Sequence, residues 1–430
     1  MEKHEERMTI DEERKYLHKM RIRYWKAKSR KERSKYLDEM QEVTGKHRKS
    51  LIRLINGDLA RKRRRRERGP TYGTEVVDAV KKIAYCLDFP CAERLQPILV
   101  RTGKQLIHHG ELSISKDTLE KLGRVSISTV RRMIGPVTHI PQRISAVRKP
   151  NRRKQTYLRT IPTKRIAWDE QEIGHWEVDT VHHCGVSASG QYVHTLQATE
   201  VVTGWVECAA VLGRSYRVIQ AGFERIQARA LPPFREIHPD NGSEFFNAHL
   251  LRFWGEQFSD AQISRSRPYQ KNDNRFVEEN NASLVRAYVG YQRLDTVAQT
   301  LLLNKFYTKL CLYHNFFQPC MRQIEKIYPT NNGTRSVRKH DIARTPFDRY
   351  LASGLLSPIE KARLSAMRMH INPMQLREEI EETLTQLAQL PMAKEGVVED
   401  VHETLLCDVD KWTITSPSSP YYDEIDLTVR

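Results

Sequence analysis

His175-Trp176-Glu177-Val178-Asp179-Thr180-Val181 is the stretch that decides how the rest of this chain reads. Successive side chains of a strand point to opposite faces. Trp176 and Val178 therefore share one face, and Asp179 projects from the other. The extended pattern continues, predicting three β-rich runs at 175–183, 192–202 and 205–212, with turns at 185–190 and at Thr203-Gly204. A helix is expected at about 215–229, with Val218, Ile219, Phe223 and Ile226 as its inner stripe. A short strand at 234–238, a helix at 247–257, a short strand at 261–264 and a helix from Phe276 follow. Three strands, then helices and strands in alternation, predict a five-stranded mixed sheet flanked by helices.

Two further acids complete a set with Asp179. Asp240 ends a short apolar strand, in His238-Pro239-Asp240-Asn241-Gly242-Ser243-Glu244-Phe245. The C-terminal end of a strand is a usual place for chemistry in α/β sheets. The bland alternative is a plain turn, because Asp, Asn and Gly are favoured turn residues. Asn241, through its amide, and Glu244, by its nearness, are candidates to support the site from behind. The third acid is Glu278 or Glu279. On a helix from Phe276, Val277, Leu284 and Tyr288 form the apolar stripe, and Glu278 borders it with Ala282, Val285 and Val289. Glu279 falls with Arg275, Ser283 and Arg286 on the solvated side, where pairing with those arginines is expected. The phase selects Glu278. Three carboxylates suit two Mg²⁺ (or Mn²⁺) ions, which can activate an attacking oxygen and stabilise a leaving one in phosphodiester chemistry.

Charge points the same way. The 430-residue chain carries a formal net charge of +18. Nine acids against Lys411 and Arg430 give residues 395–430 a net of −7, which leaves +25 on residues 1–394. Such a balance implies a polyanionic partner, nucleic acid first of all, because Lys and Arg release counterions from phosphates. The seven cysteines form no CxxC pair, the N-terminus is too charged for a secretory signal, and no apolar run is long enough to span a bilayer. A reduced cytoplasmic protein with no membrane partner is expected.

The flanks divide into modules. Residues 9–57 read as helices: Leu37, Met40 and Val43 form one stripe, Gly45 breaks it, and Leu51, Leu54 and Ile55 form a second. This suggests a helix-turn-helix whose second helix presents Lys46, His47, Arg48, Lys49 and Arg53 to DNA; a structural hairpin with a solvated basic face is the alternative. A basic linker at 58–73 contains Arg63, Arg64, Arg65 and Arg66, suited to a DNA backbone or minor groove. A second helical module at 74–137 ends in a further helix-turn-helix candidate, capped by Ser126 or Ser128, with Arg131 and Arg132 exposed. An extended basic linker at 138–173 leads into the core at 174–292. A helical basic region at 293–391 and an acidic, mobile tail at 392–430 follow.

With these residues in view, the chain resembles the DDE transposase and retroviral integrase superfamily. Asp240 through Phe245, and Arg267-Pro268-Tyr269 through Glu278, look like the integrase-core transposases of bacterial insertion sequences. The 37 residues between Asp240 and Glu278 fit the compact spacing of that group. The resemblance implies an RNase H-like catalytic core with Asp179, Asp240 and Glu278 as metal ligands. It implies cleavage at element ends and strand transfer into target DNA without a covalent protein–DNA intermediate, by a homo-oligomer assembled on double-stranded DNA in the bacterial cytoplasm, at the nucleoid. Two departures stand out. The chain lacks the His/Cys zinc module of retroviral integrases. The position seven after Glu278, basic in some relatives, is Val285, with Arg286 one further on. The rival readings are an RNase H-type nuclease that only hydrolyses, a transposase-derived DNA-binding protein without activity, and a basic RNA-binding protein.

Overall fold

The computed structural model describes residues 8–59, 71–135, 161–167, 170–240, 242, 245–267, 273–327, 337–394 and 396–405. Two compact units divide the chain, Met1–Thr71 and Tyr72–Arg430.

The first unit holds three helices, α1 (Ile10–Lys26), α2 (Arg30–Thr44) and α3 (Arg48–Asn56). A capping box between Thr9 and Glu12 starts α1. Gly45 ends α2 in the left-handed region at φ 62°, and its N–H donates to Gln41 O, so the chain turns at once into α3. Leu17, Met20, Leu37, Met40, Leu51 and Ile55 form the core of this unit, while Val43, expected within it, is exposed.

The second unit begins with a helical block: α4 (Thr74–Cys86), α5 (Ala92–Leu95), α6 (Leu99–His108), α7 (Lys116–Arg124) and α8 (Ile127–Ile134). Ser126, not Ser128, caps α8 by accepting from the N–H of Thr129. The core follows as β1 (His175–His182), β2 (Val193–Glu200), β3 (Val206–Leu212), α9 (Tyr216–Arg229), β4 (Glu236–Pro239), α10 (Ala248–Gln257), β5 (Gln262–Ile263), α11 (Arg275–Asn280), a π-helical turn over Asn281–Arg286, and α12 (Ala287–Val289). The sheet order is β3-β2-β1-β4-β5. β1 is antiparallel to β2 and parallel to β4. The expected five-stranded mixed sheet is therefore present, with helices on both faces. Helix α9 approaches one face closely at Gly222, where an added Cβ would stand 3.1 Å from Leu196 and Val211. The segment before the sheet also docks on it: Lys164 N–H donates to Arg265 O at 2.9 Å, and Arg265 N–H donates back to Pro162 O at 3.1 Å.

Beyond the core lie α13 (Val297–Phe317), the hairpin β6 (Gln323–Ile327) and β7 (Val337–His340), α14 (Pro346–Leu351), α15 (Pro358–His370) and α16 (Pro373–Gln389). The expected C-terminal helical region is present, with one hairpin added to it; the hairpin's strands are short and polar, with little periodicity to betray them. The acidic tail needs a correction. Its described part packs on the core: Glu399 accepts from the first N–H of α13, at Val297, at 2.7 Å, and Thr404 is buried. Residues 406–430 lie outside the described residues. The helical block shares one apolar core with the sheet and with α13 and α16. Among the described residues no helix is long and apolar enough to cross a membrane.

Helix α13 closes the exposed edge of β3 with two side-chain amides. Asn304 accepts from Ala210 N–H at 2.8 Å and donates to Ala210 O at 2.9 Å. Asn315 does the same for Val206, at 2.9 and 2.8 Å. Each amide mimics a neighbouring strand for one residue and satisfies an edge that would otherwise be buried unpaired. Replacing Asn315 by Leu strands a buried donor and acceptor, so Asn315→Leu is expected to lower stability by about 2–4 kcal/mol. Denaturant unfolding of the full chain checks this; an unchanged midpoint would contradict it.

Candidate active site

Asp179 sits in the middle strand, and parallel pairing decides what stands beside it. β1 and β4 run in register, with Glu177 against His238 and Val178 against Pro239. The next step of that register sets Asp240 beside Asp179. Residues in register on parallel strands project from the same face, about 4.8 Å apart. Asp240 N–H donates to Val178 O at 3.3 Å, so the pairing persists to the last residue of the strand. Immediately beyond, Gly242 N–H donates to Asp240 Oδ1 at 2.8 Å, an Asx-turn that orients the carboxylate.

Glu278 arrives from the helix laid over this face. It lies in the first turn of α11 and is exposed. Its charge nonetheless reaches Asp179, whose carboxyl is held well above the ordinary range. Burial is the largest cause, followed by the negative charge of Asp240, and Glu278 adds to it. Hydrogen bonds from Thr180 N–H (2.8 Å) and from Asn281 Nδ2 to Asp179 Oδ2 (2.6 Å) oppose the rise. Three negative groups crowded against one sheet face repel one another unless a proton or a cation intervenes.

The fit to a divalent cation follows from the donor set. Carboxylate and amide oxygens are the ligands of Mg²⁺ and Mn²⁺. Around Asp179, Glu177 Oε1, Asn281 Oδ1 and both amide atoms of Gln197 are buried without hydrogen-bond partners. Gln197 lies directly across from Asp179 on β2. Among the described residues no three His, Cys, Asp or Glu side chains converge tightly enough to ligate one ion. Asp179 and Asp240 are neighbours by strand register, and Glu278 is close enough to act electrostatically on Asp179.

Glu279 faces elsewhere. It lines a cleft of about 240 Å³ together with Asp88, Arg94, Asn280, His314 and Arg322. The arginines expected to pair with it are engaged with backbone. Arg275 donates to Ile166 O, and Arg286 donates to Gly290 O and His182 O. Arg286 is half-buried, with its guanidinium over the ring of Tyr291.

The other expected residues fall as follows. Asn241, Glu244, Arg63, Arg64, Arg65 and Arg66 lie outside the described residues. Lys46 pairs with Glu13 at 2.8 Å, and Arg48 binds Asp38 and Ser34, so both brace the first unit. Lys49 and Arg53 are exposed on α3. Arg131 pairs with Glu93, and Arg132 donates to Thr129 at 3.1 Å; both remain at the surface.

Sequence reasoning passed over two residues here. Asn281, three positions after Glu278, carried no motif, and only the folded helix brings it to Asp179. Glu177 is fully buried, and its Oε2 accepts from Phe276 N–H (2.7 Å) and Val277 N–H (3.1 Å). Burial pushes its carboxyl up to about 7, against the N–H groups of Val277 and Phe276 and the charges of Arg275 and Arg322. Its place two residues before Asp179, on the same strand face, was the available signal.

Residues 169–271 match the integrase core domain family, a range that holds Asp179 and Asp240 and stops short of Glu278. The sheet with its flanking helices is accordingly the integrase core of this protein. The uncharacterized protein y4rM of Sinorhizobium fredii (strain NBRC 101917 / NGR234) is 32% identical over 322 residues, covering 74% of this chain and 89% of that protein. The chain belongs to the DDE transposase and integrase superfamily. Among solved structures, the catalytic core domain of BIV integrase is similar over 41% of this chain and 93% of its own, at 18% identity and a TM-score of 0.26.

Asp179 gives a test that needs no DNA. A carboxyl whose folded-state pKa is raised stabilises the fold only while protonated, below its unfolded pKa, and that contribution is lost as pH rises toward the folded value. At neutral pH the Asp179 charge therefore opposes folding. Asp179→Asn is expected to raise the melting temperature in EDTA. A lower melting temperature for the variant in EDTA would contradict the crowding of charge described above.

Proposed function

We propose that this protein is a DNA transposase that binds the ends of its own element and catalyses metal-dependent cleavage and strand transfer. The observation that carries the reading is the pair Asp179 and Asp240, adjacent on parallel strands of an integrase core, with Asp179 electrostatically strained by its neighbours. Asp179, Asp240 and Glu278 are the residues that would hold Mg²⁺ or Mn²⁺, two ions per site. When bound, the ions polarise the scissile phosphate and lower the pKa of the attacking water or 3′-OH. The protein's own part is positional. The Asx-turn holds Asp240 Oδ1, Asn281 and Thr180 hold Asp179, and α11 carries Glu278 over the same face. Asn241 and Glu244, next along the sequence, have a supporting role in this reading.

The flanking modules supply DNA affinity in this reading. Residues 9–57 and 74–137 act as helix-turn-helix readers of element ends, with Lys49, Arg53, Arg131 and Arg132 at the surface and Arg63–Arg66 along the backbone or minor groove. Joining two ends to a target calls for a homo-oligomer on DNA, in the cytoplasm at the nucleoid. The second reading is a transposase-derived DNA-binding protein without activity.

Pre-cut end DNA, target DNA and Mg²⁺ test the reading. Strand transfer is expected from the unaltered protein; hydrolysis without joining would indicate a nuclease. Asp240→Asn is expected to lower both activities by about 10³-fold, a loss of roughly 4 kcal/mol in transition-state stabilisation, with end binding preserved. Unchanged Mg²⁺-dependent cleavage in that variant would remove Asp240 from the site. Glu278→Gln is expected to follow Asp240→Asn, whereas Glu279→Gln retains activity.

End recognition has its own readout. Replacing Lys49 or Arg53 by Ala is expected to weaken end binding and to reduce the slope of log K against log[salt] by about 1 for each phosphate that the variant no longer neutralises. A slope that does not move would take these residues off the DNA.

A further inference from the structure

The helix that carries Glu278 does not cap itself. Asn274, at its N-cap, makes no side-chain bond to the first turn. That side chain is turned away, with Nδ2 donating to Val178 O at 3.4 Å and Oδ1 accepting from Ser266 at 2.7 Å. The first-turn N–H groups of Phe276 and Val277 go instead to Glu177 Oε2, about a hundred residues back and two before Asp179. A helix N-terminus carries unsatisfied N–H groups and a partial positive charge, so a buried carboxylate there is bound by both hydrogen bonding and electrostatics. Arg275 and Arg322 flank the same place, one guanidinium on the Phe276 ring at 4.3 Å and the other at 4.7 Å.

A second attachment follows one turn later, where Asn281 donates to Asp179. The spacings of the two attachments agree. Glu177 and Asp179 are two residues apart on one strand face, about 6.7 Å. Phe276 and Val277 lie four to five residues before Asn281, about 6–7.5 Å at 1.5 Å per residue. Strand and helix are therefore fastened at two matched points, and Glu278 lies between them.

We propose that Glu177 is a positioning residue, whose carboxylate fastens the N-terminus of α11 to β1 and so holds Glu278 over Asp179 and Asp240. This rests on the catalytic reading of those three acids. Glu177 acts on the placement of α11, and through it on the work of Glu278.

Hydrogen–deuterium exchange on the full chain, alongside Mg²⁺-dependent cleavage of end DNA, tests this with Glu177→Ala and Glu177→Gln. The Gln side chain keeps an acceptor oxygen for the two N–H groups; Ala does not. In Glu177→Ala, amides of 273–286 are expected to exchange at least tenfold faster, with the peptides of β2, β3 and α9 unchanged. Cleavage is expected to fall at least tenfold, and the Mg²⁺ concentration for half-maximal rate to rise. Glu177→Gln is expected to restore the protection of α11 and most of the activity. Unaltered exchange at 273–286 in Glu177→Ala overturns the proposal, as does faster exchange across the whole unit, which makes Glu177 a residue of general stability. Equal defects in the Ala and Gln variants overturn it too. The exchange result stands even if the unaltered protein cleaves no DNA, so a failure of the catalytic reading is told apart from a failure of this one.

Discussion

The parallel pairing of β1 with β4 is the constraint on which the site depends. It runs in register from His175 against Glu236 to Val178 against Pro239, and one more step brings Asp179 and Asp240 side by side. A slip of one residue would turn each acid toward the apolar face occupied by Trp176 and Val178. That face is locked by burial: Trp176 stacks on Phe234 with ring centroids 4.6 Å apart and donates to Pro233 O. Apolar packing on one side of the sheet thus sets the charge repulsion on the other. The carboxylates remain neighbours because the strands cannot shift without exposing that aromatic packing.

Polar contacts from distant parts of the chain hold the covering helix in place. Glu177 and Asp179 grip α11 from below. Beyond the π-helical turn, Tyr288 on α12 donates to Asp88 at 3.0 Å. Asp88 and Phe89 both have left-handed backbone, φ 58° and 51°, a conformation that non-glycine residues keep only when the surroundings impose it. Tyr313 and Gln318, at the end of α13, donate to Cys86 O and Leu87 O just before that bend. The helical block of residues 72–135 is in this way tied to the far end of the helix that bears Glu278. Leu284 and Val285, both in the π-helical turn, are buried, as is Val277 in α11.

Most of the core was legible because its signals are local. Strands with alternating faces, an inner stripe at Val218, Ile219, Phe223 and Ile226, and the Asp-Asn-Gly turn each fit within a dozen residues. The structure places β1, β2, β3, α9, β4 and α10 within a few residues of the expected bounds. What escaped was non-local or weakly patterned. The hairpin β6–β7 is short and charged. The part of the acidic tail from 396 to 405 packs through Val401 and Leu405, two apolar residues too few to outweigh its composition on inspection. Lys46 and Arg48 read as free basic residues, yet their partners Glu13, Ser34 and Asp38 lie on other helices.

By itself the sequence determined the order of strands and helices and the basic character of residues 1–394, and it nominated the three acids. Each follows from composition, periodicity or a turn motif read in a short window. Tertiary structure alone decided that Asp179 and Asp240 are adjacent, since the register of two strands about sixty residues apart is written in neither strand. It also decided that Glu177 caps α11 and that Asn281 reaches Asp179, contacts across about a hundred residues. Hydrogen bonds of that kind form only once the apolar faces of sheet and helices have packed and brought their partners within 3 Å.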